Sequence, residues 1–191
     1  MYVDFNSLPD TREPRINPLT RDQIIASLAY HEAGHTITGM HYGMSVARTR
    51  VHTIDVDGRT GWTGTTTWNH SFVLYFDLAV ELAAGGVAGT RYLRDNNLLT
   101  ASTAECGAAP HDRDMAFATF AKTGFPFTLN GTALQGGATW EQATAAATDM
   151  TDRLWGRITA VAEGLIADPR HELSGDQVVE LIGLTAPAPT A

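Results

Sequence analysis

The chain has 191 residues, of which 43% are hydrophobic, a length that predicts one domain of ordinary size. Its formal net charge of -8 argues against a nucleic-acid partner, which would require a basic surface. No apolar run approaches the roughly 18 to 20 residues that cross a bilayer, and the first residues do not resemble a secretory signal. A single cysteine excludes an internal disulfide, so we expect a cytoplasmic protein without a membrane span.

Residues 1–19 contain three prolines among charged residues and are predicted to form an extended arm. This arm is a candidate contact for a partner or for a second copy of the chain. A capping box at residues 20–23 then predicts a helix over residues 21–42. A β-hairpin is expected next, with strands over residues 46–56 and 60–68 joined by an Asp-Gly pair.

Further helices are expected over residues 70–94, from residue 111 to about residue 124, over residues 139–167 and over residues 174–181. The proline-containing tail at residues 184–191 is expected to be disordered. This order of elements predicts a mainly α domain of the α+β class over residues 20–183, with a small hairpin or sheet beside the first helix.

The first predicted helix carries the sequence His-Glu-Ala-Gly-His at residues 31–35. Residues four apart share one face of a helix, so His31 and His35 can bind the same metal ion. Glu32 lies beside them, where it can accept a proton from water. A catalytic zinc site usually has three protein ligands, and the third ligand must therefore come from another part of the chain.

The segment Ala-Tyr-His-Glu-Ala-Gly-His at residues 29–35 resembles the peptidase domain of the membrane-anchored AAA zinc proteases of the FtsH type. The resemblance continues in the family's order through residues 60–66, 82–88 and 107–119, and it spans about residues 24–183. It implies a helical zinc-peptidase domain in which Glu32 is the general base.

The same resemblance implies that an aspartate is the third zinc ligand. Asp114 is followed by an Ala-Thr pair at residues 118–119, at the family's offsets, and we therefore favour Asp114 together with His31 and His35. Asp112 is nearer the expected distance from the preceding Gly-Ala pair. Asp112 and its neighbour His111 are the alternatives.

One departure from the family concerns the carboxylates that support the metal ligands. The family has two glutamates where this chain has Gly89 and Thr90. Carboxylates of this kind orient ligating histidines and increase their basicity. Asp77 and Glu81, on the same predicted helix, are candidates to replace them.

These features together predict a zinc-dependent hydrolase. The leading hypothesis is a metallopeptidase that cleaves unfolded or short peptides, because the sequence contains no phosphate-binding loop of an ATPase that could unfold a substrate. The first alternative is a zinc hydrolase or tailoring enzyme that acts on a small-molecule amide in a bacterial biosynthetic pathway. The second is a non-catalytic binding module that retains the fold.

Overall fold

The computed structural model describes residues 18–56, 58–69, 73–107 and 110–183. Of these described residues 61% are helical, and three strands form a small antiparallel sheet, which confirms the predicted mainly helical α+β class. Most of the predicted arm and the whole of the predicted tail lie outside the described residues. In the part of the chain that is described, no helix combines the length and the apolar character needed to cross a membrane.

The elements follow one another along the chain in an order close to the predicted one. They are α1 (Arg21–His41), β1 (Val46–Val56), β2 (Arg59–Trp68), α2 (Tyr75–Asp95), α3 (Ala101–Gly107), α4 (Pro110–Thr123), β3 (Phe127–Thr128), β4 (Ala138–Thr139), α5 (Trp140–Ala167), β5 (Glu172–Ser174) and α6 (Gly175–Leu181). The helix α3 and the short strands β3, β4 and β5 are absent from the sequence-based prediction. The helix α2 begins at Tyr75, and residues 70–72 of its predicted range lie outside the described residues.

Three of the helices begin with a capping box, in which a threonine or serine and a glutamine three residues later satisfy each other's backbone N–H groups. These pairs are Thr20 with Gln23 in α1, Thr139 with Gln142 in α5 and Ser174 with Gln177 in α6. Each cap is typically worth about 0.5–2 kcal/mol of stability. The cap at Thr20 marks the residue before α1, and it agrees with the predicted start of this helix at residue 21.

Two apolar clusters form the core. The first joins α1, β1 and the C-terminal half of α5, and Ile37, Val51 and Ile158 are among its buried residues. The second joins α2, α4 and the N-terminal half of α5, where Val80 and Phe120 are buried. The helices α1 and α2 thus both pack against the long helix α5.

The close approach of α1 to α2 depends on a glycine inside the histidine motif. A methyl group at Gly34 would come within 2.6 Å of the Ala84 backbone oxygen and 2.7 Å of the Ala88 side chain. Both distances are shorter than van der Waals contact, so any larger residue would separate the helices. The packing therefore places the middle of α2 directly against the motif.

The sheet has the order β2-β1-β5, with antiparallel pairing on both sides of β1. In the register of β1 and β2, Thr49 is opposite Thr66 and Val51 is opposite Gly64. Thr49 and Val51 are buried beneath α1. The same face of β2 consequently lies next to the motif helix.

Candidate metal centre

Side chains from α1 and α4 converge on one point between the two helices. His31 Nε2 and His35 Nε2 are 3.0 Å apart, because a four-residue spacing places both rings on the same helix face. Asp112 Oδ2, from the first turn of α4, lies 3.1 Å from His31 Nε2 and 3.3 Å from His35 Nε2. Among the described residues, this triad is the group of potential ligands that could hold a metal ion.

The spacing of these three atoms fits a shared metal ion. Ligands bonded at about 2.0–2.1 Å in a tetrahedral site are about 3.3 Å from one another. Asp112 Oδ2 is also fully buried and makes no well-directed hydrogen bond within the described part of the chain, although two ring nitrogens are close to it. Three ligand atoms around one metal ion would have these separations.

The orientation of His35 is fixed by Glu81 on α2. His35 Nδ1 lies 2.9 Å from the Glu81 backbone oxygen and 3.1 Å from Glu81 Oε1. Because both partners are acceptors, Nδ1 carries the hydrogen and the lone pair of Nε2 is directed at the triad. Of the two carboxylates considered from sequence, Glu81 therefore supports His35. Asp77 makes no polar contact with them in the described residues.

The triad is electrostatically coupled. Burial alone would lower the pKa of His35, but the carboxylates of Glu81 and Asp112 outweigh burial and raise this pKa well above its usual value. Burial alone would raise the pKa of Asp112, but the adjacent His31 and His35 rings hold it well below its usual range. Asp112 is therefore a carboxylate, and the raised pKa of His35 favours a second proton on its ring, which a metal ion bound at Nε2 would replace.

The structure brings Asp112 to the two histidines, and not Asp114, which the sequence analysis favoured as third ligand. The Asp112 side chain is 11% exposed and touches both histidines, whereas the Asp114 side chain is 68% exposed and pairs with Arg113 on the surface. Residues two apart on a helix face nearly opposite directions, so only one of the two aspartates can point at the triad. The alternative His111 is exposed and is not part of the group.

Glu32 is buried between the triad and β2. Its side chain is 5% exposed, and Oε1 lies 4.0 Å from His31 Nε2. The other oxygen, Oε2, accepts a hydrogen bond of 2.7 Å from Thr66 Oγ1. A methyl group at Gly64, two residues earlier on β2, would overlap the carboxylate. The sequence analysis assigned no role to Thr66 or Gly64, because their proximity to Glu32 depends on how the sheet packs against α1.

The absence of a side chain at Gly85 leaves space for the histidine rings. At Gly85, on the face of α2 that meets α1, a methyl group would overlap the Nε2 atoms of both His35 and His31. The two rings thus lie directly against the α2 backbone. The Gly-Gly pair at residues 85–86 belongs to the segment that the sequence analysis matched to the FtsH-type family.

No protein-family model matches the chain, and no curated protein matches it. The chemistry of the metal centre is therefore the basis for inferring a function. This chemistry combines two imidazoles and one carboxylate as potential ligands with a buried carboxylate, Glu32, that is close to them but is held by a separate partner.

Proposed function

We propose that this protein is a zinc-dependent hydrolase, and specifically a metallopeptidase related to the peptidase domain of FtsH-type proteases. His31, His35 and Asp112 would hold the metal, and Glu32 would act as general base. The observation that carries the proposal is the position of Glu32. It is buried beside the triad, with Oε2 bonded to Thr66 and Oε1 on the side of His31.

Zinc is a metal that fits this donor set. Two neutral imidazoles and one carboxylate match the three protein ligands of a common class of catalytic zinc sites, which leave a fourth position for water or substrate. When bound, zinc acts as a Lewis acid that polarises a carbonyl group and makes a water molecule easier to deprotonate.

The protein residues would perform the proton transfers. Glu32 would accept the proton of the attacking water at Oε1 and then deliver it to the leaving amine. His35 would keep its Nδ1 proton throughout, because Glu81 accepts it at two positions. Burial of the site strengthens each of these electrostatic contacts relative to water.

A peptide is the substrate class that the surrounding structure suits. Within the described sheet, β2 is paired on one side only, with β1. Gly64 and Thr66 of this strand contact Glu32. An extended peptide that adds to the free side of β2 through backbone hydrogen bonds would therefore run past the metal centre.

The proposal can be tested with purified protein that has been stripped of metal and reconstituted with zinc. The substrates would be an unfolded polypeptide, a set of short peptides and a set of small amides. We expect about one zinc per chain and cleavage of peptide bonds. Glu32→Gln should retain zinc but lose about 100 to 10,000-fold in kcat, the usual contribution of general-base catalysis.

Glu163→Gln on the exposed surface of α5 is the matched control and should behave like the unaltered protein. Cleavage of small amides alone would retain the hydrolase class and replace the peptide substrate. If Glu32→Gln preserves full activity, or if no transition metal binds after reconstitution, the proposed function is wrong.

A further inference from the structure

The strand β2 contributes a hydroxyl group to the site. Thr66 Oγ1 lies 2.7 Å from Glu32 Oε2, and it is 3.4 Å from the Glu32 backbone oxygen. Two other threonine hydroxyls surround it: Thr49 Oγ1 at 3.2 Å and Thr36 Oγ1 at 3.4 Å. Thr36 and Thr49 are both completely buried.

The direction of these hydrogen bonds follows from the chemistry of Glu32. An ionised carboxylate can only accept hydrogen bonds, so the single hydroxyl proton of Thr66 is donated to Oε2. The oxygen of Thr66 then accepts from Thr36 and Thr49. The three threonines form a polar network that ends on one oxygen of Glu32, and in the described residues only Thr66 contacts this carboxylate through a side-chain hydrogen bond.

The network determines which oxygen of Glu32 is free for chemistry. Oε2 is held by a short hydrogen bond to a charged acceptor, the stronger class of hydrogen bond in proteins. Oε1 has no hydrogen-bond donor among the described residues and lies on the side of His31. If the Thr66 hydroxyl were absent, the carboxylate would have no hydrogen-bond partner at Oε2 to hold its orientation relative to the triad.

We propose that Thr66 is a positioning residue, which holds Glu32 so that its second oxygen faces the metal centre. This inference rests on the proposed function, because Glu32 must be a base for its orientation to affect catalysis. Thr66 would not touch the metal or the substrate. Its loss should therefore lower kcat while zinc binding and KM are maintained.

The test compares four variants. Thr66→Val removes the hydroxyl at nearly constant shape, Thr66→Ser retains the hydroxyl, and Thr66→Ala serves if the valine variant fails to fold. The control is Thr38→Val, because Thr38 is buried near the motif but its hydroxyl has no partner among the described residues. Zinc content, kcat, KM and the crystal structure of the metal-free protein would be measured for each variant.

We expect Thr66→Val and Thr66→Ala to retain one zinc per chain and to lose about 10 to 100-fold in kcat, the range typical for residues that support a metal site indirectly. Thr66→Ser should restore most of kcat, and Thr38→Val should match the unaltered protein. The metal-free structures should show Glu32 rotated in the valine and alanine variants only.

An unchanged kcat, or a Glu32 carboxylate that does not move in the valine and alanine variants, would overturn the role of Thr66. These results differ from those that would refute the hydrolase proposal, in which the unaltered protein itself has no zinc or no activity. The structural measurement tests Thr66 in either case, because it requires neither zinc nor a substrate.

Discussion

Glu81 contacts His35 Nδ1 twice, through its backbone oxygen at 2.9 Å and its side-chain Oε1 at 3.1 Å. The backbone contact would persist with any residue at this position, whereas the carboxylate is specific to Glu81. The side chain is 4% exposed, so it is a desolvated charge whose partner is the histidine. One helix, α2, thereby sets both the tautomer and the orientation of a histidine that belongs to another helix.

The first prediction concerns this carboxylate. Glu81→Leu should weaken zinc binding by about 10 to 100-fold, because outer carboxylates orient and strengthen ligating histidines. Glu81→Gln retains an acceptor oxygen and should lose less. Competition with a coloured chelator would measure both affinities. Asp77→Asn on the same helix is the control, and equal affinities for all three variants would contradict the role of Glu81.

A second prediction distinguishes the two aspartates of α4. Asp112→Ala should empty the metal site, because it removes one of the three proposed ligands. Asp114→Ala loses a surface ion pair with Arg113, which is worth at most about 1 kcal/mol. Elemental analysis of both purified variants provides the comparison. The opposite result, with zinc retained in Asp112→Ala and lost in Asp114→Ala, would restore the sequence-based assignment.

The third prediction uses the glycine of α2 beneath the rings. Gly85→Ala should reduce zinc binding, because the added methyl group would overlap both Nε2 atoms. Alanine is favoured over glycine in helices by about 1 kcal/mol, so helix propensity cannot explain a loss. Gly156→Ala on α5 meets open space and is the control. It should retain zinc and raise the melting temperature. Full zinc occupancy in Gly85→Ala would show that the rings can move.

The fourth prediction concerns removal of the metal. A ligand that binds only the folded state stabilises it by about 2.7 kcal/mol when its free concentration is 100 times Kd. Adding zinc to stripped protein should therefore raise Tm, and a chelator should reverse the rise. His31→Ala should abolish this response, whereas His41→Ala, at the exposed end of α1, should preserve it. A zinc response that survives in His31→Ala would place the metal elsewhere.

Local sequence signals were sufficient for much of the fold. The capping box at Thr20 marks the start of α1, and the same type of cap at Thr139 marks the start of α5. The pairing of His31 with His35 follows from helix geometry alone. The strands β3, β4 and β5 have only two or three residues each, too few to show the alternation that identifies a strand.

The rest of the site depends on tertiary structure. The choice between Asp112 and Asp114 depends on how α4 is rotated relative to α1, and an offset of two residues reverses the direction of the side chain. The contact of Thr66 with Glu32 requires both the register of the hairpin and its packing beneath α1. No local sequence pattern predicts the orientation of Asp112 or the contact between Thr66 and Glu32.

The triad also affects how the domain unfolds, since its three residues come from helices in different apolar clusters. The motif helix α1 belongs to the first cluster, and α4 belongs to the second, where it packs mainly on α2. A bound ion would cross-link the two clusters through Asp112. With the ion bound, we expect the two clusters to unfold together. Without it, we expect α4 to be the first helix to exchange its amide hydrogens.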